Sequence, residues 1–253
     1  MDFKLSNKVA LITGGARGLG TAICRNMAAE GCNIAINYRN DHKRARLLAE
    51  EIEEKYGVKA IFVEGDVTSE EDVKRIFREI ISQLGSIDIL INNSGICRVS
   101  MVKDMDLFQW NSVISTNLTG TFLTSREMIN ILIAQNKCGK IVNIASQSAF
   151  NGSKNGKSHY AASKGGVVTF TLSLAKEVAQ YGINVNSVAP GMMYTEMTSE
   201  TLDKDMDKYK KEIPLGRIAE FDEVARVVVF LASDVSSYIT GTTLDVSGGI
   251  VGR

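Results

Sequence analysis

Tyr160 and Lys164 are four residues apart in the stretch Tyr160-Ala161-Ala162-Ser163-Lys164. In a helix, that spacing puts both side chains on one face. A lysine ammonium beside a phenol favours the phenolate and draws the tyrosine pKa toward neutrality. Tyr160 then becomes a usable acid/base for interconverting a carbonyl and an alcohol. Taken alone, the pattern is common on helix surfaces, so its meaning depends on what surrounds it.

The chain's other chemically suggestive stretch is Thr13-Gly14-Gly15-Ala16-Arg17-Gly18-Leu19-Gly20, directly after the apolar run Val9-Ala10-Leu11-Ile12. Glycines in a strand-to-helix turn allow positive φ and let the backbone approach a pyrophosphate. The helix that follows offers unpaired N–H groups and a positive dipole end. The spacing is not G-x-G-x-x-G, and such turns also arise for packing alone. At the end of the second apolar run, an acidic residue would accept a hydrogen bond from the ribose of NAD(H). This chain has Asn37-Tyr38-Arg39 instead. Arg39, with Arg17 in reach of the same group, suits a 2′-phosphate. No acidic residue is expected there to repel it, so NADP(H) is expected, with NAD(H) as the alternative.

These residues need a scaffold. Short apolar runs at 9–12, 33–36, 60–63, 87–91, 140–144, 183–188 and 242–246 read as strands. Between them lie segments of helical period: 22–28 closed by Gly31, 43–56 stopped by Gly57, and 69–84 with Ser69 as N-cap before Glu70, Glu71 and Asp72. Further helices are expected at about 106–135, 158–180 and 220–232. Continuously apolar strands imply burial on both faces. The expected fold is a single α/β domain over 1–253, with a doubly wound parallel sheet of seven strands and helices on both faces. A (β/α)₈ barrel also suits the length, but the count is seven strands and the glycine turn follows the first.

Composition narrows the partners. The 253 residues are 44% hydrophobic and 23% charged, and formal net charge is +0. That argues against nucleic acid or an acidic membrane as a main partner. The four cysteines form no C-x-x-C pair, and His42 and His159 are the only histidines, so no metal site is expected. No apolar run has membrane-span length and no signal peptide opens the chain, which predicts a cytoplasmic protein.

In this setting the chain closely resembles the short-chain dehydrogenase/reductases, from Lys8 to Gly249. Thr13, Gly14, Gly18 and Gly20 match the family's T-G-x-x-x-G-x-G turn. Asp66-Val67 match its adenine-contacting pair. Asn92-Asn93-Ser94-Gly95 match N-N-A-G, with Ser94 in place of the usual alanine. Asn117, Ser146, Tyr160 and Lys164 match the catalytic set, and Pro190-Gly191 with Thr195 match the segment that holds the nicotinamide carboxamide. The resemblance implies a Rossmann-type fold in which Gly14, Arg17, Gly18, Leu19, Gly20, Tyr38, Arg39, Asp66, Val67, Asn93, Gly95, Tyr160, Lys164, Pro190, Gly191, Met193 and Thr195 contact the dinucleotide.

It also implies roles. Tyr160 gives a proton to the carbonyl oxygen, Ser146 orients that oxygen, Lys164 lowers the Tyr160 pKa and holds the nicotinamide ribose, and Asn117 keeps a water that resupplies the proton. The polar stretch 151–157 is longer than usual, which leaves Ser148 as the alternative to Ser146. Among relatives, the chain looks most like 3-oxoacyl-carrier-protein reductases, on Asn37-Tyr38-Arg39 and Ile213-Pro214-Leu215-Gly216-Arg217. Sugar, polyol, steroid or small-ketone dehydrogenases are the alternative, and a non-catalytic NADP(H) sensor is a remote one.

For an acidic carrier protein, Lys137 and Lys140 are candidate basic contacts, while Tyr181 occupies a position that is often basic. The segment 192–212, with Met192, Met193, Met197 and Met206, is a candidate substrate lid or ordinary amphipathic packing. Cys97 and Arg98 are candidates for the substrate side, and His159 should face away from it. A homotetramer is implied through the two long helices and the tail at 244–250.

Overall fold

The structure, a computed structural model, describes residues 2–153, 155–195 and 198–251; Lys154 and Met197 lie outside these. Seven strands make one parallel sheet: β1 (Val9–Ile12), β2 (Asn33–Tyr38), β3 (Ala60–Glu64), β4 (Ile89–Asn92), β5 (Gly139–Ile144), β6 (Ile183–Pro190) and β7 (Thr243–Val246). Their spatial order is β3-β2-β1-β4-β5-β6-β7. The chain thus winds outward from β1 in one direction and then, starting at β4, in the other.

Alternation along β1 explains the layers. Ala10 and Ile12 face one core cluster, shared with α1 (Gly18–Ala29), α2 (His42–Tyr56) and α10 (Phe221–Ala232). Val9 and Leu11 face the other, shared with α3 (Glu70–Leu84), α5 (Gly120–Ala134) and α7 (Ser158–Val178). A strand flanked by helices on both faces has no polar side to show, hence the continuous apolar runs. Helix ends follow the expected chemistry. Ser69 accepts the Asp72 N–H, and Gly57 and Gly85 take left-handed φ values of 68° and 80° after α2 and α3.

One expected element is two. Instead of a single helix over 106–135, α4 (Leu107–Ile114) runs into a π-helical turn, Ser115–Thr119, before α5 begins. Asp106 starts it as read, closing a capping box with Gln109. Nothing in apolar periodicity marks a one-residue widening of the backbone, so the break was not foreseen. Two short helices, α8 (Ser199–Lys204) and α9 (Met206–Glu212), fill the segment after β6. Leu202 there is fully buried, and Met193 packs against the first core cluster. No helix among the described residues is long and apolar enough to cross a membrane.

Candidate active site

A parallel sheet sends every strand's C-terminal end to one edge, and the crevice opens where the winding reverses, between β1 and β4. Loops from both strands are tied together there. Thr13 Oγ1 accepts the N–H groups of Asn93 and Ser94, both at 3.0 Å. Asn93 Nδ2 donates back to the carbonyls of Thr13 and Gly14 at 3.0 and 3.1 Å. The glycines meet a steric demand. Gly14 and Gly18 hold φ values of +61° and +53°, and a Cβ on Gly20 would sit 2.5 Å from the Gly14 carbonyl oxygen. Helix α1 starts at Gly18 without a side-chain cap, so its first turn presents N–H groups toward the crevice. That cradle fits a dinucleotide pyrophosphate. Leu19 lends only backbone to it, its side chain being buried in the core.

At the adenosine end, two expectations need correcting. The Tyr38 side chain is not turned toward a nucleotide. It is buried, its hydroxyl is 2.7 Å from His42 Nδ1, and its ring packs against Phe62. The aromatic contacts between β2, α2 and β3 outweigh exposure of so large a ring. An acidic residue also does stand beside Arg39: Asp66 Oδ2 lies 3.4 Å from its Nη1. Asp66 is held there because its other oxygen accepts from the Thr68 N–H and hydroxyl, both at 2.8 Å. Val67, next to it, is buried against Gly120.

At the other end of the crevice, Ser146 follows β5, and Tyr160 and Lys164 lie on α7. The Ser146 hydroxyl accepts the Ser148 N–H at 3.1 Å and is near enough to the Tyr160 phenol to pull its pKa down. Ser148 is the first residue of the short helix α6 (Ser148–Asn151). Lys164 is buried, and its Nζ donates to the Ile144 carbonyl at 2.6 Å and stands 5.9 Å from the Tyr160 ring centre. A Cβ on Gly95 would lie 3.6 Å from Lys164 Nζ and 3.4 Å from Asn117 Oδ1, so all these groups share one pocket.

Its electrostatics correct a third expectation. Burial pushes the Tyr160 phenol up to about 12, with the Ser146 hydroxyl pulling the other way. Burial also drops the Lys164 ammonium to about 8. The lysine does not draw the phenol toward neutrality here, because the same dry surroundings penalise both charges. Tyr160 is thereby kept a proton donor.

Asn117 sits in the π turn, fully buried. Its side chain holds Ile96 by both backbone groups, at 2.8 and 3.0 Å, and donates to Ser163 Oγ at 3.0 Å. Nothing in the sequence pattern signalled the Ile96 and Ser163 contacts. Pro190 ends β6, and its carbonyl accepts the Gln147 N–H at 3.0 Å. Gly191 is pressed on Ser247, where a Cβ would come within 2.6 Å of that residue's Cα. Thr195 spends its hydroxyl on Thr198 at 3.0 Å, and the Met193 backbone pairs with Ala219. Cys97 lies at the pocket, its thiol acting on both Tyr160 and Lys164. His159 is fully buried with neither ring nitrogen bonded, and burial and Arg98 hold its pKa down.

Lys137 and Lys140 stand elsewhere. Lys140 is the second residue of β5, six residues before Ser146, which at ~3.3 Å per strand residue is roughly 20 Å away. Tyr181 precedes β6 at the same far edge. Within one protomer, none of the three borders the pocket.

A family described as enoyl-(acyl carrier protein) reductase matches residues 14–251. The chain belongs to the short-chain dehydrogenase/reductase family. It is 44% identical over 250 residues to a 3-oxoacyl-[acyl-carrier-protein] reductase of Aquifex aeolicus, covering 99% of this chain and all of that one. Among solved structures, a short-chain dehydrogenase/reductase from Mycobacterium marinum superposes with a TM-score of 0.94 at 34% identity, covering 100% and 98% of the two chains. A gluconate 5-dehydrogenase from Burkholderia cenocepacia, in complex with NADP and tartrate, gives 0.93 at 34% identity over 100% and 98%. Like other short-chain dehydrogenase/reductases, this chain is an oxidoreductase acting between CH–OH and C=O.

Proposed function

We propose that this enzyme is an NADPH-dependent 3-oxoacyl-[acyl-carrier-protein] reductase. The observation that carries the reading is the full-length 44% identity to the Aquifex reductase, joined to a pocket in which the Ser146 hydroxyl stands beside a Tyr160 phenol that burial keeps protonated. Two hydroxyls converging on one position suit a carbonyl oxygen, which becomes an alkoxide as the reaction proceeds. They offer nothing specific to a carbon–carbon double bond, so the enoyl label of the family does not set the reaction.

The bound cofactor supplies the hydride. Tyr160 gives its proton to the substrate oxygen, and Ser146 fixes that oxygen by hydrogen bonding. Lys164, held on the Ile144 carbonyl, stands by the Tyr160 ring where it stabilises the phenolate left after transfer. Asn117 positions the pocket wall through Ile96. On the cofactor side, Gly14, Gly18 and Gly20 receive the pyrophosphate, and Arg39 meets the 2′-phosphate, which must displace it from Asp66. The NADP recorded in the Burkholderia neighbour supports this choice.

A second reading, a dehydrogenase of a small hydroxylated acid, is favoured by the gluconate 5-dehydrogenase neighbour. The test is NADPH oxidation with an acetoacetyl thioester set against a ketose acid. Turnover of the thioester is expected; an inert thioester with a reactive sugar acid would overturn the first reading. The same reading makes the protein a cytoplasmic homotetramer. The half-exposed Phe122 and Leu172 on α5 and α7 are suited to pack between subunits, and native mass spectrometry showing a monomer would contradict it. The 192–212 segment serves as the lid.

A further inference from the structure

A line of polar side chains crosses the second core cluster, between the sheet and helices α5 and α7. Asn92 on β4 and Asn143 on β5 are partners in register. Both lie on the strand face of Leu90 and Ile141, which belong to that cluster. Thr124 and Ser125 reach them from α5 and Thr171 from α7, and every one of these residues is buried. The Thr124 hydroxyl donates to Asn92 Oδ1 at 2.6 Å. Asn92 Nδ2 donates to Ser125 Oγ at 3.0 Å and to Asn143 Oδ1 at 2.8 Å. Asn143 Nδ2 donates to Thr171 Oγ1 at 2.9 Å, and the Thr171 hydroxyl ends the chain on the Val167 carbonyl at 2.8 Å.

The line runs directly beneath the pocket. Asn143 precedes Ile144, whose carbonyl holds Lys164 Nζ at 2.6 Å. Tyr160, Lys164 and Thr171 fall on one stripe of α7, at i, i+4 and i+11. That stripe is therefore fixed to β5 at two heights, by Lys164 on Ile144 and by Thr171 on Asn143. On the α5 side, Asn117 Nδ2 donates to Ser163 Oγ at 3.0 Å, and the Ser163 hydroxyl donates to the Tyr160 carbonyl at 2.7 Å. The two helical segments are thus tied directly at the pocket, through Asn117 and Ser163, and again below it, through Asn92 and Asn143.

For stability alone the line has little worth. Exchanging both partners of a buried hydrogen bond for apolar groups of like shape is close to neutral. Its worth is in direction. Each donor and acceptor fits one placement of the helices, whereas apolar contacts between the same elements tolerate sliding.

We propose that Asn143 and Thr171 are positioning residues for the reduction, fixing where α7 places the Tyr160 phenol over the crevice. The inference rests on the acid role proposed above for Tyr160. Neither residue reaches the reacting atoms; both act through Tyr160.

The experiment compares Thr171→Val, Thr171→Ser and the pair Asn143→Leu with Thr171→Val, each with and without Tyr160→Phe. Steady-state rates, melting and amide exchange over residues 158–167 are the readouts. Thr171→Val is expected to lower kcat about tenfold or more, the cost of a small misplacement of a reacting group. Its KM for NADPH should stay within about threefold, because the glycine turn is untouched. Thr171→Ser keeps the hydroxyl and should restore kcat to within about threefold. Thr171→Val also strands the Asn143 amide and should lower Tm. The apolar pair removes both ends of that bond and should regain the Tm without regaining kcat. In the Tyr160→Phe background, Thr171→Val should cost less than about twofold in the residual rate.

A kcat that follows Tm across the set would make the line a matter of stability only and overturn the proposal. So would an undiminished loss in the Tyr160→Phe background, or full turnover in Thr171→Val. Full turnover of Tyr160→Phe alone would end the proposed chemistry. Amide exchange then decides the brace by itself: faster exchange at the start of α7 in Thr171→Val supports it, and unchanged exchange overturns it.

Discussion

Lys164 Nζ is bonded to the carbonyl oxygen of Ile144 at 2.6 Å, at the exit of strand β5. The contact keeps a buried ammonium at the pocket floor, where burial has lowered its pKa from 10.5 to about 8. Its neutral form is therefore favoured by folding and its charged form penalised. Below pH 8 the folded state carries the full penalty. Between about 8 and 10.5 the unfolded chain binds more protons than the folded one, so stability rises with pH there. Replacing the ammonium removes this dependence. Lys164→Met is expected to raise Tm at pH 7, with the gain shrinking as pH climbs from 8 to 10.5, while turnover is lost. Calorimetric melting across that range checks it; a Tm difference that does not change with pH would refute the assignment.

Tyr160 has the opposite slope. Its folded pKa of about 12 lies above the ordinary 10, so ionisation of the unfolded chain costs stability as pH rises from 10 to 12. Tyr160→Phe should abolish that loss and lower kcat about 10²–10⁴-fold, the usual worth of a positioned acid. NADPH binding, read by fluorescence titration, should remain. A Phe variant with full turnover ends the proposed chemistry.

Ser146 and Ser148 separate by what they touch. The Ser146 hydroxyl acts on the phenol, whereas Ser148 gives its N–H to Ser146. Ser146→Ala is expected to cost about 10²-fold in kcat, as for loss of one donor to a developing oxyanion. Ser148→Ala should leave kcat within about twofold. The reverse ranking in steady-state assays would move the orienting role to Ser148.

Arg39 already has Asp66 at 3.4 Å, an exposed pair of little worth by itself. Arg39→Asp places two carboxylates where the 2′-phosphate would go. The ratio of kcat/KM for NADPH over NADH should fall about tenfold or more. An unchanged ratio means that Arg39 is not the anchor.

Gly20→Ala puts a methyl group 2.5 Å from the Gly14 oxygen and 2.8 Å from Asn93 Nδ2. Neither the backbone carbonyl nor a side chain bonded to two carbonyls can yield cheaply. Loss of cofactor binding together with a lower Tm is expected from a titration and a melt of the same protein; normal binding would show that the turn can open.

The layered fold was readable because each strand's composition reports its surroundings: Ala10 and Ile12 need one helical layer, Val9 and Leu11 the other. Tyr160 and Lys164 were readable because a helix's period converts spacing into proximity. What escaped was set by contacts distant in the chain. The orientation of Tyr38 depends on Phe62, and the company of Arg39 depends on where Thr68 holds Asp66. Burial of Tyr160 and Lys164, which reverses the expected pKa effect, comes from packing that their own spacing does not encode. The remoteness of Lys140 follows from strand direction, visible only once β5 has a top and a bottom.

The π turn at Ser115–Thr119 inserts one residue beyond what an α-helix would use between α4 and α5. Deleting one residue there lets the backbone relax to the narrower coil, which covers the same turn with one residue fewer and leaves α5 facing as before. Leu123, Met128 and Leu132 would keep their place in the core, while the widened turn that carries Asn117 to Ile96 would be lost. The extra residue thus serves the pocket and not the scaffold: a chain without it could still fold, with the wall at Ile96 unpinned.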